Sequence, residues 1–104
     1  MLSEEIRREI RPRLEAAFRG RFHGVLLYGS EARHQGGEES DVDLMVLLKG
    51  PVRLGRDLDT IVEALYPLQL KVDRPIHALP VSSEVFRAGE YGVYRNAQRE
   101  GSFL

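Results

Sequence analysis

The residues of this 104-residue chain that could do chemistry stand in two groups, Gly29-Ser30 and Asp41-Val42-Asp43, with ten residues between them. The aspartates open the apolar run LMVLL, and a charged side chain at a core-facing position costs several kcal/mol unless something compensates it. In a strand, alternate residues share a face, so the two carboxylates project together from Cα atoms roughly 7 Å apart. That spacing suits one or two hard cations such as Mg²⁺, which prefers oxygen ligands and keeps several waters. Gly29-Ser30 closes the preceding apolar run. A glycine that frees the backbone, with a serine opening a short helix, makes an anion site, because helix N-terminal amides point outward and the hydroxyl adds a donor. Each group alone has a plainer reading, a capped turn for Gly-Ser and a solvated strand start for Asp-x-Asp. At this spacing their joint chance frequency is on the order of one in a thousand. One group holds a triphosphate and the other the metal that bridges it, the makings of a phosphoryl or nucleotidyl transfer site. Metal, with phosphate behind it, then compensates the aspartates.

The surrounding sequence supplies elements that can position both groups. Ser3 is an N-cap, and Glu4 and Glu5 suit the first turn of a helix. Ile6, Ile10, Leu14, Ala17 and Phe18 form one stripe. Pro12 is expected to kink or divide that helix and Gly20 to stop it. Residues 21–28 read as a strand, Glu31 to His34 as a short helical piece before a Gly-rich loop, and residues 41–48 as the strongest strand. Both faces of the latter are apolar after Asp43, which marks a central strand. Gly50 and Pro51 break it. A helix follows with Leu58, Ile61, Val62, Leu65 and Leu68 at helical spacing. Ile76 to Val81 reads as a third strand, Ser82 and Ser83 as caps of the next helix, and Gly101 as the end of a last helix. The order predicts one α/β (α+β) domain over 1–104, a small mixed β-sheet flanked by helices. The Asp41–Leu48 strand is expected beside the Val25–Tyr28 strand.

Composition narrows the function classes. The chain is 42% hydrophobic and 30% charged, with a net charge of −1 and thirteen arginines to two lysines. That balance gives no basic field for a nucleic-acid backbone. There is no cysteine, hence no disulfide, thiolate nucleophile or Cys-based zinc site. The N-terminus does not read as a signal peptide, and no apolar run approaches a membrane span. A cytoplasmic protein without membrane attachment is expected.

The stretch YGSEARHQGGEESDVDLMVLL resembles the signature of the DNA polymerase beta-like nucleotidyltransferase superfamily, in particular its minimal nucleotidyltransferases. The likeness is specific from Val25 to Leu48 and looser through IHALPVSSEVF and YRNAQREG. It implies that superfamily's fold, phosphate binding by Gly29 and Ser30, a phosphate contact by Arg33, and metal binding by Asp41 and Asp43. His34 departs from the glycine often found after that arginine. Many members also place a third carboxylate on the next strand, where it helps hold the catalytic metal and deprotonate the acceptor hydroxyl. Aligning IHALPVS with that strand puts His77 there, a candidate base whose ordinary pKa is near neutral. Asp73, the nearest acid, falls before Pro75 in an expected loop. His23 and His34 show no ligand spacing with His77.

The resemblance implies a Mg²⁺-dependent (or Mn²⁺-dependent) enzyme that moves a nucleoside monophosphate from an NTP, first of all ATP, to a hydroxyl. With little surface and no basic patch, the expected acceptor is a protein partner. In the family, small members pair with a helical HEPN-type protein as toxin and antitoxin, and the resemblance implies that here. A rival reading, favoured by His77, is a catalytically weak or inactive nucleotide-binding module that acts by covering its partner. A plain structural domain is a third. The sequence leaves the oligomeric state open, a homo-oligomer included.

Overall fold

A computed structural model describes residues 2–29 and 41–104. Helix α1 spans Glu4–Phe18, a single 3₁₀ turn Arg19–Arg21, strand β1 Phe22–Tyr28 and strand β2 Val42–Leu48. Helix α2 spans Leu54–Gln69, strand β3 Ile76–Ser82, helix α3 Ser83–Ala88, helix α4 Gly92–Glu100 and strand β4 Ser102–Phe103. The four strands form one sheet in the order β3-β2-β1-β4. β1 pairs antiparallel with β2 and with β4, and β2 pairs parallel with β3. The sheet is mixed, as expected, and β2 lies beside β1.

Alternation along β2 divides the core. Val42, Leu44, Val46 and Leu48 face the side covered by α1 and α2, where Ile10, Leu14, Ile61 and Leu68 enclose them. Met45 and Leu47 face the other side, packing with Leu26, Val81, Phe86 and Ala97 under α3 and α4. Burial on both faces explains the unbroken apolar run of this strand. Among the described residues, no helix is long and apolar enough to cross a membrane.

Three expectations need correction. Of the two outcomes expected at Pro12, division of α1 does not occur; Ile10 and Leu14, both fully buried, anchor the helix on either side, so packing outweighs the lost hydrogen bond. The helix ends not at Gly20 but at Arg19, which takes φ 53° as the C-cap. On α2, Leu58 and Val62 face solvent while Ile61, Leu65 and Leu68 are buried. The short edge strand β4 is an addition to the sequence reading.

The 3₁₀ turn also fixes the start of α2. Arg21 donates from Nη1 and Nη2 to the Asp57 carboxylate at 2.9 and 3.1 Å, and from Nη2 to the Pro51 carbonyl at 3.1 Å. Asp57 accepts in addition from the Arg53 backbone N–H at 3.0 Å. The Arg21 guanidinium holds the Asp57 carboxyl below its ordinary value, against the opposing effect of burial.

Candidate active site

β1 ends at Tyr28, and Gly29 turns the chain away with φ 78°. Few residues but glycine accept that conformation. A second requirement is steric: a Cβ on Gly29 would stand 3.0 Å from Asp43 Oδ2, the closest of its neighbours. Backbone and carboxylate thus approach closely, and a side chain at Gly29 would require the Asp43 carboxylate to shift.

Register assembles the rest. Tyr28 is the Cα partner of Asp43 across the antiparallel pair, and His77 is its partner across the parallel pair. Directly opposed residues share a face, so Tyr28, Asp43 and His77 stand in a row on the α3–α4 side. Asp41 immediately precedes β2, and its Oδ2 lies 3.7 Å from His77 Nδ1, with both side chains open to solvent. Val42 N–H donates to the Pro75 carbonyl at 2.9 Å, which ties the start of β2 to the start of β3.

Among the described residues, the balance of charge at Asp43 is negative. Burial raises the Asp43 carboxyl above its ordinary value, the Asp41 carboxylate raises it further, and His77 pulls it partly back. Tyr28 is raised too, by burial first, then by Asp43 and Tyr94. A cation placed between the aspartates would reverse the effect on Asp43. Among the described residues no group of three or more His, Asp or Glu is arranged to hold a metal. Two carboxylates joined by substrate phosphates are a usual way to hold Mg²⁺, and Asp41 and Asp43 fit that role.

The other sequence candidates separate. Ser30, Arg33, His34 and the short helical piece with its Gly-rich loop lie outside the described residues. Asp73 is exposed in the turn before β3 and lines a groove with Leu2, Ser3 and Ile6. His23 is hydrogen-bonded through Nδ1 to Ser83 Oγ at 2.7 Å. One part of the site was missed by the sequence reading. Tyr28 and Gly29 form one wall of a groove whose other wall is α4, through Gly92, Val93, Asn96, Ala97 and Glu100. Those residues are small or polar and read as ordinary surface; the one signal was the looser likeness through YRNAQREG.

The sequence model of the nucleotidyltransferase domain family matches residues 7–101. This chain belongs to that family. A protein of Methanocaldococcus jannaschii, provisionally named a protein adenylyltransferase, is 32% identical over 105 residues, covering 100% of this chain and 99% of its own. Two solved structures share the fold of this nucleotidyltransferase domain. One is a toxin-antitoxin with AMP-PNP, with TM-score 0.64 and 14% identity over 90% of this chain and 68% of its own. The other is a mutant of the toxin-antitoxin MntA-HpeT, with TM-score 0.62 and 18% identity over 100% of this chain and 72% of its own.

Proposed function

We propose that this nucleotidyltransferase domain transfers AMP from ATP to a hydroxyl of a protein partner, using a divalent cation held by Asp41 and Asp43. The observation that carries the reading is the approach of the Gly29 backbone to the Asp43 carboxylate, with His77 in register on the next strand. The protein acceptor is supported by the provisional name of the archaeal relative. A helical HEPN-type toxin as that acceptor is in keeping with the toxin-antitoxin assemblies that share the fold.

In this reaction the acceptor oxygen forms a bond to the α-phosphorus, and the bond from that phosphorus to the bridging oxygen breaks. Pyrophosphate leaves with that electron pair. Mg²⁺, when bound, neutralises phosphate charge and aligns the triphosphate. Gly29 and Ser30, with Arg33, cradle the outer phosphates. Asp41 and Asp43 orient the α-phosphate side of the nucleotide toward β3. His77 takes the hydroxyl proton as the new bond forms, and its contact with Asp41 would stabilise the imidazolium.

The experiment is incubation with labelled ATP, Mg²⁺ and the product of the neighbouring gene. Label on that product, lost in Asp43→Asn, supports the reading; binding of both ATP and partner without any label on the partner overturns transfer. A second reading, a nucleotide-binding module that acts by covering its partner, is favoured by one observation. An imidazole stands opposite Asp43 where the resemblance implies a carboxylate, and Mg²⁺ prefers oxygen ligands to imidazole.

A further inference from the structure

We propose that the open edge of β3, with the apolar groove between it and α2, docks an extended segment of the partner protein that adds to the sheet as a further strand. Its alternate side chains are apolar toward α2, and one on the other face carries a hydroxyl opposite His77. The hydroxyl rests on the transfer reading given above; the docking does not.

β3 stands at one side of the sheet, and among the described residues no strand lies beyond it. Its hydrogen bonding shows which groups face outward. Val42 is the register partner of Ile76, and its N–H donates to the Pro75 carbonyl. In a parallel ladder His77 and Leu79 then turn their backbone groups to β2, while Ile76, Ala78 and Pro80 turn theirs to the open edge. Gln69 agrees with that direction, since its Oε1 accepts from the Ile76 N–H at 2.8 Å. Pro80 has no N–H to leave unpaired and so suits an outward position on an edge strand. Ala78 thus offers an N–H and a carbonyl, with the Ile76 and Pro80 carbonyls on either side. Main-chain bonding of this kind is how extended peptides add to a sheet edge.

The groove beside this edge is apolar. Leu58, Val62 and Tyr66 recur at every fourth position of α2 and so share a face. Val62 and Tyr66 are left 58% and 57% exposed, and all three line the groove with Ile76, His77 and Ala78. Contiguous apolar surface left open in this way marks an interaction site. The groove holds about 320 Å³, the lower end for an enclosed small ligand, and it suits the side chains of a chain lying along the edge. One residue on from Leu58 and Val62, the exposed Asp59 and Glu63 run beside the apolar row. The segment is therefore basic where it passes them. A second copy paired edge to edge would set two such acidic flanks side by side.

Alternation fixes what the segment presents. A residue opposite Ala78 shares its face, toward α2. The next residue stands opposite His77, on the face of Asp43. Opposed residues have Cβ atoms about 4.5–5.5 Å apart, so a hydroxyl there comes within reach of the imidazole. Its oxygen bonds to the α-phosphorus, its proton passes to His77, and pyrophosphate leaves with the electron pair of the broken bond.

The test is fluorescence anisotropy of the full chain with two labelled peptides of one composition. Arg-Gln-Val-Thr-Val-Gln-Arg sets both valines on one face, and Arg-Val-Val-Thr-Gln-Gln-Arg cannot. The first should bind at least fivefold more tightly. Val62→Asn combined with Tyr66→Ser should weaken it by roughly tenfold or more while ATP affinity stays within about twofold. Circular dichroism melts check that substitution at these exposed positions leaves the fold intact. Equal affinity for the two peptides, no binding of the first, or binding untouched by the double substitution overturns the proposal. A free protein that sediments as a dimer, and as a monomer once doubly substituted, assigns the groove to a second copy and overturns it too. With labelled ATP and Mn²⁺, label on the first peptide and none on its Thr→Ala counterpart supports the hydroxyl. Docking without label, while the neighbouring gene's product is labelled, overturns the placement of the hydroxyl. Docking with no label on either overturns transfer and leaves the docking supported.

Discussion

His77 is the register partner of Asp43 on the adjacent parallel strand, so an imidazole and a carboxylate share one face of the sheet side by side. That placement suits His77 to two duties, proton acceptor or metal ligand, and Mg²⁺ favours the first. Transfer is therefore expected to be slow in Mg²⁺ and faster in Mn²⁺, which accepts nitrogen ligands more readily. His77→Asp should raise the Mg²⁺-supported rate by roughly ten- to a hundredfold, the scale of a positioned acid–base group. Asp73→Asn should leave it unchanged, because Asp73 sits in the groove beside the start of α1. Rates from labelled ATP decide the matter: loss of transfer in Asp73→Asn with no effect of His77→Asp would reassign the third acid.

Asp43→Asn separates binding from stability. The variant keeps the shape of the side chain and removes one anionic ligand, so Mg²⁺-dependent ATP affinity should fall by roughly tenfold or more. In chelator, without metal, the same change should leave the melting temperature unchanged or raise it. The sign follows from the raised carboxyl. A carboxyl whose folded pKa lies above its unfolded value favours folding at low pH, and that benefit is lost as pH rises through the folded pKa. At neutral pH the charged Asp43 is therefore a cost that a neutral amide in its place would not bear. Melts of both proteins across pH 4–8 in chelator check it; a clear drop in stability of the variant at pH 7 would contradict it.

The Arg21–Asp57 pair should behave in the opposite sense. Asp57 is buried and accepts three hydrogen bonds from Arg21 and Arg53. Arg21→Met removes two of them, and since Arg21 is partly exposed the expected loss is about 1–2 kcal/mol at neutral pH. The folded Asp57 pKa is lowered, so its contribution is present above the unfolded value and disappears as pH falls through the folded one. The gap between wild type and Arg21→Met in denaturant melts should accordingly shrink below about pH 4.

Arg19→Gly should stabilise the protein. Arg19 holds φ 53° with ψ −124°, a conformation natural to glycine and strained for a residue with a Cβ. Relief of that strain is expected to be worth about 1 kcal/mol, or a rise in melting temperature of roughly 4–8 °C for a domain of this size. No gain, or a loss, would mean that the arginine side chain contributes more than its backbone costs.

Much of this arrangement was legible in the sequence, for reasons that differ by element. β1, β2 and β3 were readable because their apolar runs are bounded by glycine, proline or charge. The aspartate pair was readable only in part: strand alternation covers Asp43, whereas Asp41, expected as the first strand residue, stands just before β2. The end of α1 was not, because which residue takes a positive φ depends on how the turn meets β1, and the sequence offers Gly20 one step too late. α2 is apolar on two sides, so periodicity could not tell the buried Ile61 and Leu65 from the exposed Leu58 and Val62. β4 spans two residues, too few for any pattern to register. The α4 wall of the groove was hidden for a related reason: glycine, valine and asparagine on a short helix look like surface until β1 is placed across from them.

The attachment of α4 differs from that of the other long helices. α1 sends Ile6, Ile10, Leu14 and Phe18 into the core, and α2 sends Ile61, Leu65 and Leu68, whereas Ala97 is the one buried residue of α4. Opening free energy scales with the apolar contacts that must be broken. The backbone amides of α4 should therefore exchange with deuterated water well before those of α1, in excursions far smaller than global unfolding. Local opening of this helix is thus expected to leave the sheet and the helices on its other face closed.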